Sequence, residues 1–63
     1  MVRLIRDART GDYYSEDGKF FIERGTSGWN VSELNEERSN QWGQPVYEYS
    51  FTCDTLKEVR ESI

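Results

Sequence analysis

YEYSFTCDTLKEVRESI, Tyr47 to Ile63, carries two different periods in one unbroken run. Tyr47, Tyr49 and Phe51 alternate with Glu48 and Ser50, the period of two that marks a half-buried strand. Leu56, Val59 and Ile63 then recur at the spacing that one face of a helix collects, with Lys57, Glu58, Arg60 and Glu61 turned away. The switch falls at Thr55-Leu56-Lys57-Glu58, a capping box. The Thr55 hydroxyl is placed to accept from the N–H of Glu58, and the Glu58 side chain to reach back to the N–H of Thr55. Asp54 beside it suits the positive end of the helix dipole. The helix is shorter than the roughly 12–15 residues at which isolated helices become stable, so it needs a surface to form. Strict alternation makes Tyr47, Tyr49 and Phe51 that surface.

Working upstream, Asp17-Gly18 is a favoured tight-turn pair because both residues tolerate positive φ. It lies between Tyr13-Tyr14 and Phe20-Phe21-Ile22, which predicts a strand from about Lys19 to Arg24. GTSG (Gly25–Gly28) is a second turn, and WNVSEL (Trp29–Leu34) alternates as a further strand. Val2 to Arg6 reads as a short strand or an ordered arm. Residues 35–45 are polar, contain Gly and Pro, and read as the longest loop, with Trp42 inside it. The expected fold is a single α+β domain over residues 1–63. It is a three-stranded, possibly four-stranded, antiparallel sheet with one C-terminal helix packed on one face. Alternation turns Phe20, Ile22, Trp29 and Val31 towards the helix with Tyr47, Tyr49 and Phe51. It turns Phe21, Glu23, Asn30, Ser32, Glu48 and Ser50 to a polar, carboxylate-bearing far face.

Composition narrows the chemistry. The 63 residues include nine aromatics, one cysteine and no histidine, with a net charge of −4. A lone cysteine forms no disulfide within the chain, and the usual zinc ligand sets are missing. Cys53 reads as a small buried core residue. The acidic stretch Asp12–Gly18 lacks the spacing of a calcium loop. No cofactor or metal is expected. No nucleophile stands in sequence with a histidine base to activate it, so catalysis is not expected. No apolar run nears the roughly 20 residues that span a bilayer, which argues against a membrane. The free cysteine and the absence of a signal-peptide pattern point to the cytoplasm.

Trp29, Phe51, Thr55, Leu56 and Glu58, spread over roughly residues 18–63, follow an order that resembles the three-stranded-sheet-plus-helix DNA-binding domains. These include the arm-binding domains of tyrosine integrases and the plant ethylene-response factors. The resemblance implies a sheet face, opposite the helix, that reads DNA through Arg, Lys and Trp. Here that face is expected to carry Glu23 and Glu48 with Asn30 and Ser32, and carboxylates forfeit the counterion-release term that dominates DNA affinity. Arg3, Arg6 and Arg9 remain the nucleic-acid candidates, as a basic N-terminal arm. Nucleic acid is therefore the alternative partner and protein the expected one. The candidate protein-binding residues are Trp42, Phe21, Glu23, Asn30, Glu48 and Tyr13. Trp42 either covers the sheet edge or stands out as an anchor, since Trp and Tyr dominate interface hot spots. Self-pairing across a sheet edge is a further form of the same expectation. In style the chain is similar to small bacteriophage and mobile-element proteins that bind host proteins, and an acidic face could mimic DNA.

Overall fold

The computed structural model describes residues 3–63. Val2, expected at the start of the first strand, lies outside the described residues. Five strands and two helices follow in order: β1 (Leu4–Arg6), β2 (Tyr13–Ser15), β3 (Phe20–Arg24), β4 (Trp29–Leu34), α1 (Glu36–Trp42), β5 (Tyr47–Cys53) and α2 (Leu56–Ser62). The strands form one antiparallel meander, β1-β2-β3-β4-β5, so β1 and β5 are its edges. The α+β class, the antiparallel sheet and the C-terminal helix agree with the sequence reading. The sheet is larger than three or four strands, and a second helix occupies the segment read as a loop.

The turns explain the short strands. At Asp17-Gly18 the Ser15 hydroxyl, almost fully buried, donates to Asp17 Oδ1 at 2.6 Å and accepts from the Phe20 N–H at 2.8 Å. Asp17 Oδ1 also accepts from the Lys19 N–H. Gly18 takes φ 77°, which an L side chain resists. These bonds lower the pKa of Asp17, the Ser15 hydroxyl contributing most and the Lys19 N–H next. The turn between β1 and β2 is closed by Asp7, whose carbonyl accepts from Gly11 N–H and whose N–H donates to the Asp12 carbonyl.

The core is Ile22, Val31, Cys53 and Val59, with Leu4, Tyr13, Phe20, Trp29, Phe51, Leu56 and Ile63 packed around it. Val59 and its neighbours seat α2 on the sheet. The Thr55 hydroxyl accepts from the Glu58 N–H at 3.2 Å, so the N-cap forms where the sequence places it, while the return bond from the Thr55 N–H to the Glu58 side chain is not made.

Strand β5 departs from strict alternation. Trp29, Asn30 and Val31 pair with Cys53, Thr52 and Phe51, but Ser32 pairs with Tyr49. One residue, Ser50, is extra. Such a bulge shifts the pairing by one, and a one-residue shift reverses every face beyond it. Phe51 and Cys53 keep the core side, while Tyr47 and Tyr49 turn to the opposite face. The expectation that all three aromatics form the floor for α2 is corrected accordingly: Phe51 does, and Tyr47 and Tyr49 do not. Glu48 is reversed as well. It pairs with Glu33, which follows Val31 at an interval of two, and so lies on the α2 side of the sheet rather than on the far face. Tyr13, expected among the protein-binding residues, instead pairs with Ile22 and packs edge-on to Trp29 with ring centroids 5.7 Å apart. Its neighbour Tyr14 takes the other face, because adjacent strand residues point to opposite sides.

Candidate functional site

The face opposite α2 is the site that these reversals build. The pairings Ile5↔Tyr14, Tyr14↔Phe21, Phe21↔Ser32 and Ser32↔Tyr49 run at one level across all five strands. The result is a single cross-strand row: Ile5, Tyr14, Phe21, Ser32, Tyr49. Tyr14 and Phe21 stack tilted at 5.1 Å, and Tyr47 leans onto Phe21 from the next level at 5.9 Å. Tyr49 is 66% exposed and Ile5 51%. Ser32 is the small member, with Phe21 on one side and Tyr49 on the other, each one strand spacing of about 4.8 Å away. It leaves a notch in an otherwise bulky row.

Hydrogen bonds fix the rings that flank the notch. The Tyr47 hydroxyl donates to the Gly18 carbonyl at 2.7 Å, tying β5 to the β2–β3 turn across the sheet. Partial burial is the main cause that raises the pKa of Tyr47, with the nearby Tyr14 and Asp17 adding to it. The Tyr49 hydroxyl shares a 2.8 Å bond with the Thr52 hydroxyl, and Thr52 donates to Asn30 Oδ1 at 2.9 Å. This chain holds Asn30 with its amide nitrogen as the remaining donor. Glu23, paired with Asn30, is the charged residue that the strand pairings place on this face.

The candidates named from sequence therefore divide. Phe21, Glu23 and Asn30 do share the open face. Tyr13 lies in the core layer. Glu48 sits on the α2 side, where Asn35 Nδ2 donates to Oε1 and Arg38 donates to Oε2 at 3.2 Å. Those contacts, Asn35 first and Arg38 second, hold the Glu48 carboxyl below its ordinary pKa. The arginines do not gather on the open face. Arg6 pairs with Tyr13 on the α2 side, and Arg9 lies in the first turn, its N–H bound to Asp7 Oδ1. Arg3 precedes β1, and its carbonyl accepts from the Glu16 N–H. Sequence reasoning missed Tyr14, Tyr47, Tyr49 and Ile5, the larger part of the row.

Trp42 ends α1 and is 67% exposed. None of the residues of α1 is buried, so packing does not hold the helix. Its ends do. Asn35 Oδ1 accepts from the Arg38 N–H, and Gly43, at φ 70°, returns its N–H to the Ser39 carbonyl. The Ser39 hydroxyl donates to the Asn35 carbonyl and accepts from the Val46 N–H, joining both ends of the connection. Asn35 as N-cap, Glu36 and Glu37 in the first turn, Gly43 as C-cap and Pro45 beyond it are the signals that would have revealed α1 in the sequence.

An open groove of about 600 Å³ lies at the α1 end of the sheet, lined by Lys19, Glu33, Glu36, Glu48 and Ser50 among others. No cluster of three metal-ligating side chains occurs among the described residues. No helix among them is long and apolar enough to cross a membrane. The chain matches no protein-family model, no curated protein and no solved structure.

Proposed function

We propose that this chain is a small non-catalytic interaction module that binds protein through the open sheet face, with α1 and Trp42 as a second contact. The row Ile5-Tyr14-Phe21-Ser32-Tyr49 carries this reading. The row joins exposed Ile5 and Tyr49 through half-buried Tyr14 and Phe21, and apolar surface gathered on one face of a small domain is a mark of an interaction site. Tyrosine is enriched at binding hot spots because it offers large contact area and a polar tip at low conformational cost.

The composition of the face weighs against other partners. A duplex reader needs Lys or Arg against phosphates, and the strand pairings place Glu23 there but no basic residue. A DNA mimic needs several carboxylates spread over one surface, and with Glu48 on the other side Glu23 is the one that the strand pairings leave on this face. Catalysis at the groove would need a base tuned near neutral pH, whereas the Glu48 carboxyl is held in its ionised form by Asn35 and Arg38.

The test is affinity capture from the native cell with the wild-type chain, Tyr49→Arg, Trp42→Ala and an exposed α2 control, Lys57→Ala. The wild type and the control should retain the same partner, Trp42→Ala should retain less, and Tyr49→Arg should lose it. Identical capture by Tyr49→Arg and wild type would remove the open face from consideration.

A further inference from the structure

We propose that the occupant of the open face is a second copy of this chain, packed sheet against sheet about a twofold axis that runs parallel to the strands between β3 and β4. This rests on the reading of that face as an interaction surface and adds the identity of the partner.

Self-complementarity is the first argument. An isologous contact sets a surface against its own copy, so a residue at one place must fit the residue related to it by the axis. An axis between β3 and β4 sets each residue of β3 over its own ladder partner in the other copy. The bulky Phe21 then faces the Ser32 notch of the second molecule, twice. One strand further out, Tyr14 of β2 faces Tyr49 of β5, a pair of rings with polar tips. Glu23 faces Asn30, whose amide nitrogen is left as a donor by the Thr52 bond. Glu23 thus meets a donor instead of its own copy. Two sheets stacked this way keep their strands within about 30° of each other at a separation of about 10 Å.

The edges provide the second argument. Edge-to-edge pairing, the other route to a dimer, requires a flat, regular edge. Strand β5 is interrupted at its middle by the Ser50 bulge and carries Glu48. Strand β1 is three residues long and ends in Arg6. Bulges, charges and short strands are the devices that block such pairing. Charge is the third argument. Each copy carries −4 overall, so two copies repel least where charge is sparse, and among the paired strand residues the open face carries a single charge, Glu23.

Area sets the strength. An axis between β3 and β4 overlaps β2 to β5 and leaves β1 outside, and at about 3.3 Å per residue and 4.8 Å between strands those four strands lay out a face on the order of 300 Å². Two such faces remove roughly 600 Å², about half the lower bound of the specific, stable class of about 1,200–2,000 Å². An interface that small makes the dimer a weak one whose population rises with concentration.

Sedimentation equilibrium from about 5 μM to 1 mM tests this with the wild type, Ser32→Arg and Tyr49→Arg, each checked for folding by circular dichroism. Ser32→Arg fills the notch with a charge, and Tyr49→Arg changes an already exposed side chain, so one can stand in if the other misfolds. The wild type should dimerise reversibly, and each variant should weaken the dimer by about tenfold or more, as loss of a central contact does. In a mixed-label sample the Phe21 ring should show intermolecular nuclear Overhauser contacts to Ser32. A wild type still monomeric at 1 mM overturns the proposal, as does a dimer that both folded variants leave unchanged. Neither result touches the wider reading, which fails only if Tyr49→Arg captures the same partner as the wild type.

Discussion

Deleting Ser50 separates a bulged β5 from a regular one. In the observed pairing Ser50 is the extra residue between Phe51, opposite Val31, and Tyr49, opposite Ser32. Its removal closes the ladder without moving any other side chain to a new face. Tyr49 stays opposite Ser32, Glu48 opposite Glu33, and Phe51 and Cys53 stay in the core. The expected cost is within about 1 kcal/mol, since no core contact or ladder partner is lost. A strand of strict alternation predicts the opposite. Removing one residue from it would turn Phe51 and Cys53 out of the core, or turn Tyr47 and Tyr49 over. Full exposure of a buried Phe costs about 1.5–3 kcal/mol, and half-buried Phe51 would lose part of that together with the burial of Cys53. That compares with a total stability of roughly 3–9 kcal/mol for a chain of this length. Urea denaturation followed by Trp29 fluorescence, in a Trp42→Phe background, measures the difference, because Trp29 packs against Tyr13 beside the core. A companion substitution reports the face directly. Tyr47→Phe removes the hydroxyl that donates to Gly18 and should cost about 0.5–1.5 kcal/mol in the full-length chain. The cost should be equal in the deletion variant, where Tyr47 keeps its face. A deletion variant that unfolds, or in which Tyr47→Phe becomes silent, would refute the bulge as the device that sets the two faces.

Two further outcomes follow from the core and the turns. Val59 is fully buried under α2, and Val59→Ala should cost about 2–3 kcal/mol from lost methyl burial plus the cavity left behind, read as a shift in urea midpoint at constant slope. Asp17 has a folded pKa below its ordinary value. A depressed carboxyl stabilises the fold above its unfolded pKa, about 3.9, and that contribution is lost as pH falls through the folded pKa. Stability should therefore decline less steeply below about pH 4 in Asp17→Asn than in the wild type. Equal acid slopes in the two proteins would mean that the Ser15–Asp17–Lys19 turn carries none of the acid sensitivity.

The parts of the fold legible in the sequence were those with a local cause. Asp17-Gly18 sets its turn through backbone preference, and Thr55-x-x-Glu58 starts its helix through a cap. Phe20, Ile22, Trp29 and Val31 share a face because a regular ladder preserves alternation. The helix α1 is not legible in the sequence for a physical reason. It buries nothing, so it lacks the apolar periodicity by which helices are recognised, and its evidence lies only in Asn35, Gly43 and Pro45. The faces of Tyr47 and Tyr49 were misread because a bulge is a property of two strands at once. Nothing within YEYSF marks Ser50 as extra. The shift becomes visible only when β4 supplies Val31 and Ser32 as partners. The candidate site depends on that shift, so its larger part was illegible even though Phe21 and Asn30 were named.

The bulge also explains how nine aromatic residues coexist with so small a core. Tyr13, Phe20, Trp29 and Phe51 pack around Ile22, Val31, Cys53 and Val59 on the α2 side. Tyr14, Phe21, Tyr47 and Tyr49 occupy the other side, and Trp42 stands on α1. A domain of this length has little surface to spare for burial and is marginal for that reason. Strict alternation would have drawn Tyr47 and Tyr49 under α2 and set Glu48 on the open face. The bulge instead keeps Glu48 beside Arg38 and leaves two tyrosines outside. Folding alone does not require that arrangement, since a seven-residue α2 is already seated by Leu56, Val59 and Ile63 on Phe51 and its neighbours. The aromatic side chains on the open face are therefore in excess of what α2 needs, and for that reason the proposed contact with a second surface is placed on their row.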